Sequence, residues 1–209
     1  MELQFYGANC FRVSGKGYSI VIDDNLAKLG GKSVTKPTDI SLQTSLLTNP
    51  PKDSAFNANT PGEYEISGVI IHGIAARAHM DKEAAHTATI YTIEADGARV
   101  AVLGHIFPDL SDNQVEEIDN IDVAIVPVGD SGYTLDGQGA LSVIKKIEPK
   151  IVVPSHYADK DIKYEVPQAE LSEAIKTLGM EPAETVDKYK IRSAELTDST
   201  KLVILNRLK

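Results

Sequence analysis

The stretch Arg99-Val-Ala-Val-Leu-Gly-His105 decides the reading of the fold. It is a short apolar run that ends abruptly in a glycine and a histidine. Asp96-Gly97 bounds it before and Pro108 after, and it reads as a strand buried on both faces. Two later stretches repeat the plan. Val123-Ala-Ile-Val-Pro-Val128 runs into Gly129-Asp130, and Ile151-Val-Val-Pro154 runs into Ser155-His156-Tyr157. Helix-like segments separate the three. In α/β sheets ligands and chemistry collect at the C-terminal ends of the strands, so this pattern is expected to bring His105, Asp130 and His156 into one region.

Working outward, residues 88–94 pair naturally with 99–103 across Ala95-Asp96-Gly97-Ala98, and residues 63–66 and 69–75 read as strands around Ser67-Gly68. The N-terminal runs at 3–6, 10–14 and 18–22 resemble an antiparallel meander, with Gly15-Lys16-Gly17 as a hairpin signal. Residues 39–42 form a further candidate strand, and 45–54 and 77–86 read as loops. Ser111 caps a short acidic helix to about Asp119. Thr134 is expected to cap a helix ending near Ile147, where Pro149 blocks continuation, and Pro167 to open one running to Leu178 with Gly179 as its cap. Residues 189–192 and 201–205 are terminal strands, the last a candidate for pairing with another chain in a homo-oligomer. Strands, then strand–helix alternation, then strands again argue for an α/β (α+β) system of mixed sheets covered by helices. No linker interrupts it, so residues 1–209 are read as a single domain.

The 209 residues are 42% hydrophobic and 24% charged, ordinary for a globular chain. A net charge of −9 without a basic cluster argues against a nucleic-acid partner. The single cysteine, Cys10, has apolar neighbours and permits no internal disulfide. No apolar run reaches the length of a membrane span, and the opening Met-Glu-Leu-Gln-Phe lacks the regions of a secretory leader; a cytoplasmic protein is expected.

An ordered set of short motifs runs through the chain. It comprises Tyr6-Gly-Ala-Asn-Cys-Phe11, Ile20-Val-Ile-Asp23, Pro61-Gly-Glu-Tyr-Glu-Ile66, His79-Met-Asp81, Val102-Leu-Gly104, Val126-Pro-Val-Gly129 and Pro149-Lys-Ile-Val-Val-Pro-Ser-His-Tyr157. Together they resemble the metallo-β-lactamase superfamily, in its branch of lactonase-like and uncharacterised metal-dependent hydrolases. The resemblance implies a four-layer αββα sandwich with a metal pair at the strand ends. In that family a His-x-His-x-Asp-His loop, a later His, a bridging Asp after Leu-Gly and a final His hold the metals, and metal-bound water becomes hydroxide near neutral pH.

Carried onto this chain from Asp39, the ligand loop falls on Ser45-Leu46-Leu47-Thr48-Asn49-Pro50, and no histidine precedes His72. A Gly-His-Ser of the branch is here Gly7-Ala8-Asn9, and the bridging Asp is His105. His79 and His156 stand where ligands stand. The expectation is a family member that has lost the two-metal centre and acts by binding an unknown small molecule or protein, with no cofactor. The alternative is a mononuclear hydrolase of an ester, lactone or phosphodiester, with one zinc ion on His79, His105 and His156. Asp23, Asp24, Asp130 and Tyr157 are candidate pocket residues. Each also has a plainer reading: Asp23 and Asp24 as turn caps, the Gly129–Tyr133 loop as a tight turn, and Tyr157 as packing. His72 reads as a packed or edge residue and His86 as solvated. A subunit-interface role would place apolar surface at the cleft mouth. Ser155 adjoins His156, but neighbours on one extended segment point opposite ways, so no catalytic triad is read.

Overall fold

The computed structural model describes residues 1–209 other than Leu47, Asn49, Lys52 and Asp198. Two ligand-loop positions, Leu47 and Asn49, therefore lie outside the described residues. In chain order the elements are β1 (Glu2–Gly7), β2 (Cys10–Gly15), β3 (Tyr18–Ile22), β4 (Ile40–Leu42), β5 (Phe56–Ala58), β6 (Gly62–Ile66), β7 (Val69–Ala76), β8 (Ala88–Ala95) and β9 (Ala98–Val102). There follow α1 (Asp112–Ile118), β10 (Val123–Pro127), α2 (Gly137–Ile147), β11 (Ile151–Ser155), α3 (Leu171–Leu178), β12 (Pro182–Val186), β13 (Lys188–Lys190), a 3₁₀ turn at Ser193–Glu195 and β14 (Lys201–Leu205). Among the described residues one sheet has the strand order β13-β1-β2-β3-β4-β5 and the other β12-β14-β11-β10-β9-β8-β7-β6.

The strand period of two explains how the sheets stack. Val100, Val102, Val123, Ile125, Ile151 and Val153 point inward, against Leu3, Phe11 and Ile20 of the facing sheet. The alternate residues Ala101, Ala124, Val126 and Val152 point outward, against Ile118, Val143 and Leu178 of the helices. Strands buried on both faces must be apolar at every position, as the three runs are. The outer face of the other sheet is covered by irregular chain: Cys10 and Val21 pack with Leu26 and Ile162. The architecture is a mixed α/β sandwich of two sheets, in line with the αββα sandwich the resemblance implies, with the α-helices on one sheet and irregular chain on the other.

Strands β9, β10 and β11 are adjacent and parallel, with Val102 beside Ile125 and Pro127 beside Ser155, so their C-terminal ends form one edge. Several details differ from expectation. Asp136 caps α2 by accepting from the Gly139 N–H, while the Thr134 N–H is taken by the Asp130 carbonyl inside the preceding turn. Helix α3 starts four residues after Pro167, because Ala169 is tied into extended pairing with Ala158 and Gly129. β14 lies between β11 and β12 of its own sheet and is no free edge for another chain. β5 and β12 are strands that the sequence pattern did not show. Among the described residues no helix is long and apolar enough to cross a membrane.

Candidate functional site

The chain leaves these strand ends, and the ends of β1 and β3 in the facing sheet, in left-handed conformations. Ala8, Asp23, Asp130 and His156 have φ of 51°, 47°, 60° and 56°, and Gly104 has 61°. Left-handed backbone is disfavoured for non-glycine residues and costs on the order of 1 kcal/mol each. The turns also interlock. The His156 N–H donates to the Ala8 carbonyl at 2.8 Å. A side chain at Gly104 would collide with Thr44 Oγ1, and one at Gly129 with the His156 carbonyl.

The edge brings two imidazoles face to edge. His105 Nε2 and His156 Nε2 are 3.4 Å apart, with the rings at 80°. His156 Nδ1 lies 2.9 Å from Gln168 Oε1, and His105 Nδ1 lies 3.4 Å from Asn9 Nδ2. Ser155 Oγ donates to Asn9 Oδ1 at 2.8 Å. His156 is left-handed, so the alternation of an extended segment does not hold there, and Ser155 reaches His105 through Asn9. Burial, then the neighbouring His156 and His79, pull His105 down to about 3. Burial also lowers His156, against the Gln168 hydrogen bond. Both rings are therefore neutral near pH 7. The Tyr133 ring stands 6.1 Å from His105 and the Tyr164 ring 5.1 Å from His156.

His79 is held nearby by its backbone. Its N–H donates to the His105 carbonyl at 2.8 Å, and Ala78 bridges Ile106. Asp81 pins the loop by accepting from the Ala78 N–H and from the Thr87 N–H and hydroxyl. Against the cost of desolvation, those bonds hold the Asp81 carboxyl below its usual range. The His79 ring packs at 5.8 Å on Phe107, and its Nδ1 is buried without a hydrogen-bond partner. Among the described residues no three His, Cys, Asp or Glu side chains are arranged to hold a metal ion.

The other candidates stand apart. Asp23 is buried and accepts from the Thr44 N–H at 2.7 Å and its hydroxyl at 2.5 Å; burial raises it to about 6 against those bonds. It fixes the start of the family's ligand loop. Asp24 Oδ2 accepts from Ser33, Val34 and Thr35, and the residue lines a cavity of about 300 Å³ with Asp53 and Lys28. Asp130 is in an exposed turn and does not join the histidines. Tyr157 is partly buried, packs on the Phe5 ring at 5.8 Å and donates its hydroxyl to the Leu205 carbonyl at 3.4 Å. His72 faces Glu117 at 3.7 Å, and His86 is exposed.

Asn9 and Gln168 were missed as site residues. Asn9 carried a signal, since it adjoins the position of the branch's N-terminal histidine. Gln168 carried none, because its contact is made twelve residues away by tertiary packing. Leu46, Ile70, Met80 and Tyr133 are exposed large hydrophobics, and of these Tyr133 stands beside His105 and Met80 follows His79 in the chain.

A family model described as the β-lactamase superfamily domain matches residues 2–156. The chain is 28% identical over 91 residues to a UPF0173 metal-dependent hydrolase of Archaeoglobus fulgidus, a match covering 44% of this chain and 38% of that protein's length. Among solved structures it is similar to a metallo-β-lactamase superfamily protein of Thermotoga maritima, with TM-score 0.75, 23% identity and 98% of each chain covered. It is also similar to Igni18, a metallo hydrolase of Ignicoccus hospitalis, with TM-score 0.61, 20% identity, and 99% of this chain and 94% of that one covered.

Proposed function

Because this chain belongs to the metallo-β-lactamase superfamily, we propose that it is a member without the family's two-metal hydrolytic centre. It acts by binding a small molecule or a protein at the strand-end edge. The observation that carries this reading is the pairing of His105 with His156 at 3.4 Å, each ring's other nitrogen meeting an amide side chain. The residues at the family's metal positions do not fit a metal pair. Ser45, Leu46, Thr48 and Pro50 offer no imidazole or carboxylate, and a neutral histidine replaces the anionic bridge. Exposed Tyr133 beside His105, and Met80 next to His79 in the chain, offer apolar surface for a ligand or partner.

Metal binding to the folded state alone would raise stability by mass action. The expected result is a thermal unfolding midpoint that zinc or manganese does not raise and a chelator does not lower. A rise of several degrees with either metal, reversed by the chelator, would overturn the proposal.

A second reading, the mononuclear hydrolase on His79, His105 and His156, draws on the unpartnered His79 Nδ1 and has against it that no three such side chains among the described residues are arranged to hold a metal ion. A variant with His79→Ala separates the two readings. It abolishes one-equivalent zinc binding if the three histidines form a site and changes nothing if they do not.

A further inference from the structure

We infer that Asn9 and Gln168 are positioning residues that lock the tautomers of the histidine pair, so that His105 Nε2–H donates to His156 Nε2 and neither ring offers a free Nε2 lone pair. The inference rests on the reading that the pair carries no metal, and it adds the physical reason.

The polarity follows from one end of the chain of hydrogen bonds. Gln168 Nε2 lies 2.9 Å from the Val166 carbonyl and 3.3 Å from the Pro167 carbonyl, both of which only accept. The amide orientation is thereby set, and Gln168 Oε1 faces His156 Nδ1. That nitrogen must carry the proton. In a neutral ring His156 Nε2 is then a lone pair. His105 Nε2, 3.4 Å away, must donate to it, because two facing lone pairs would repel. His105 Nδ1 becomes the acceptor, and Asn9 Nδ2 is the group placed to donate to it. Asn9 Oδ1 turns to Ser155, whose hydroxyl donates. From Ser155 to Val166 every bond has one donor and one acceptor, and both rings are neutral. The lowered pKa values of both histidines agree with this.

Distance is not what opposes a metal. Two imidazoles on one tetrahedral zinc, at about 2.05 Å each, would place their nitrogens roughly 3.3 Å apart. What opposes it is the proton on His105 Nε2. Moving that proton to Nδ1 would set it against the Asn9 amide hydrogens, and relieving that clash needs the Asn9 amide to flip and the Ser155 hydroxyl to turn from donor to acceptor. Ligating histidines commonly give their other N–H to a carboxylate or carbonyl, and Asn9 presents the opposite polarity.

Ring ¹⁵N–¹H correlation spectra of the full chain test this directly. In the wild type His105 is expected protonated on Nε2 and His156 on Nδ1. Asn9→Asp supplies an acceptor and is expected to move the His105 proton to Nδ1, raising affinity for added zinc alone by about tenfold or more. Gln168→Glu keeps an acceptor for His156 Nδ1–H and is expected to leave its tautomer unchanged. A metal-free wild type with His105 protonated on Nδ1 overturns the inference while leaving the proposed function standing. Bound metal in the wild type overturns both. An Asn9→Asp variant that keeps the wild-type tautomer and zinc affinity also overturns the inference.

Discussion

Gly104 shows how closely single residues set this edge. It is left-handed, and a Cβ there would overlap Thr44 Oγ1. Gly104→Ala is expected to cost about 1–3 kcal/mol through backbone strain and to displace Thr44, measured by urea unfolding. Asp23 lies beneath the same threonine. Its folded-state pKa is raised from 3.8 to about 6, so the folded chain binds the proton more tightly. Its contribution is most favourable below about pH 4 and is lost as pH rises to about 6. Relative to Asp23→Asn, the wild type should therefore lose on the order of 3 kcal/mol between those pH values, measured by urea titrations across the window. The sequence placed His105 and His156 at the ends of β9 and β11, because Gly104-His105 and Ser155-His156 interrupt apolar runs there. It could not orient their rings, since Gln168 and Asn9 come from distant segments.

At the scale of elements, the strands buried on both faces were legible because every position in them must be apolar. β5 was not, being short, and β12 was not, because its residues are exposed or half-buried and show no apolar run. Capping was legible where it is local. Ser111 accepts from the Gln114 N–H, and Gln114 Oε1 accepts from the Ser111 N–H, a reciprocal capping box. Ser111→Ala should cost about 1 kcal/mol, read from a shift in the denaturation midpoint without a change in slope. The start of α3 was misplaced because Pro167 suits a first helical turn, yet pairing of Ala169 with Ala158 and Gly129 holds that segment extended. The extension carries Gln168 to His156, so the site contact and the delayed helix have one cause.

Over the whole molecule, two sheets enclose an apolar core, and one region carries the paired histidines together with the left-handed Ala8, Asp23 and His156. The family and the sandwich could be read from ordered motifs. The fate of the chemistry depended on which side chains meet. Both histidines have lowered folded-state pKa values, so their contribution is present above about pH 6.5 and is lost as pH falls through those values, about 3 for His105. This opposes Asp23 in the same window. The thermal midpoint should fall on acidification below pH 6.5, and less steeply in His105→Asn, as followed by circular dichroism. Elemental analysis of the purified, undialysed protein tests the central claim most directly. The account predicts far less than one zinc or manganese per chain, and two tightly held ions per chain would contradict it.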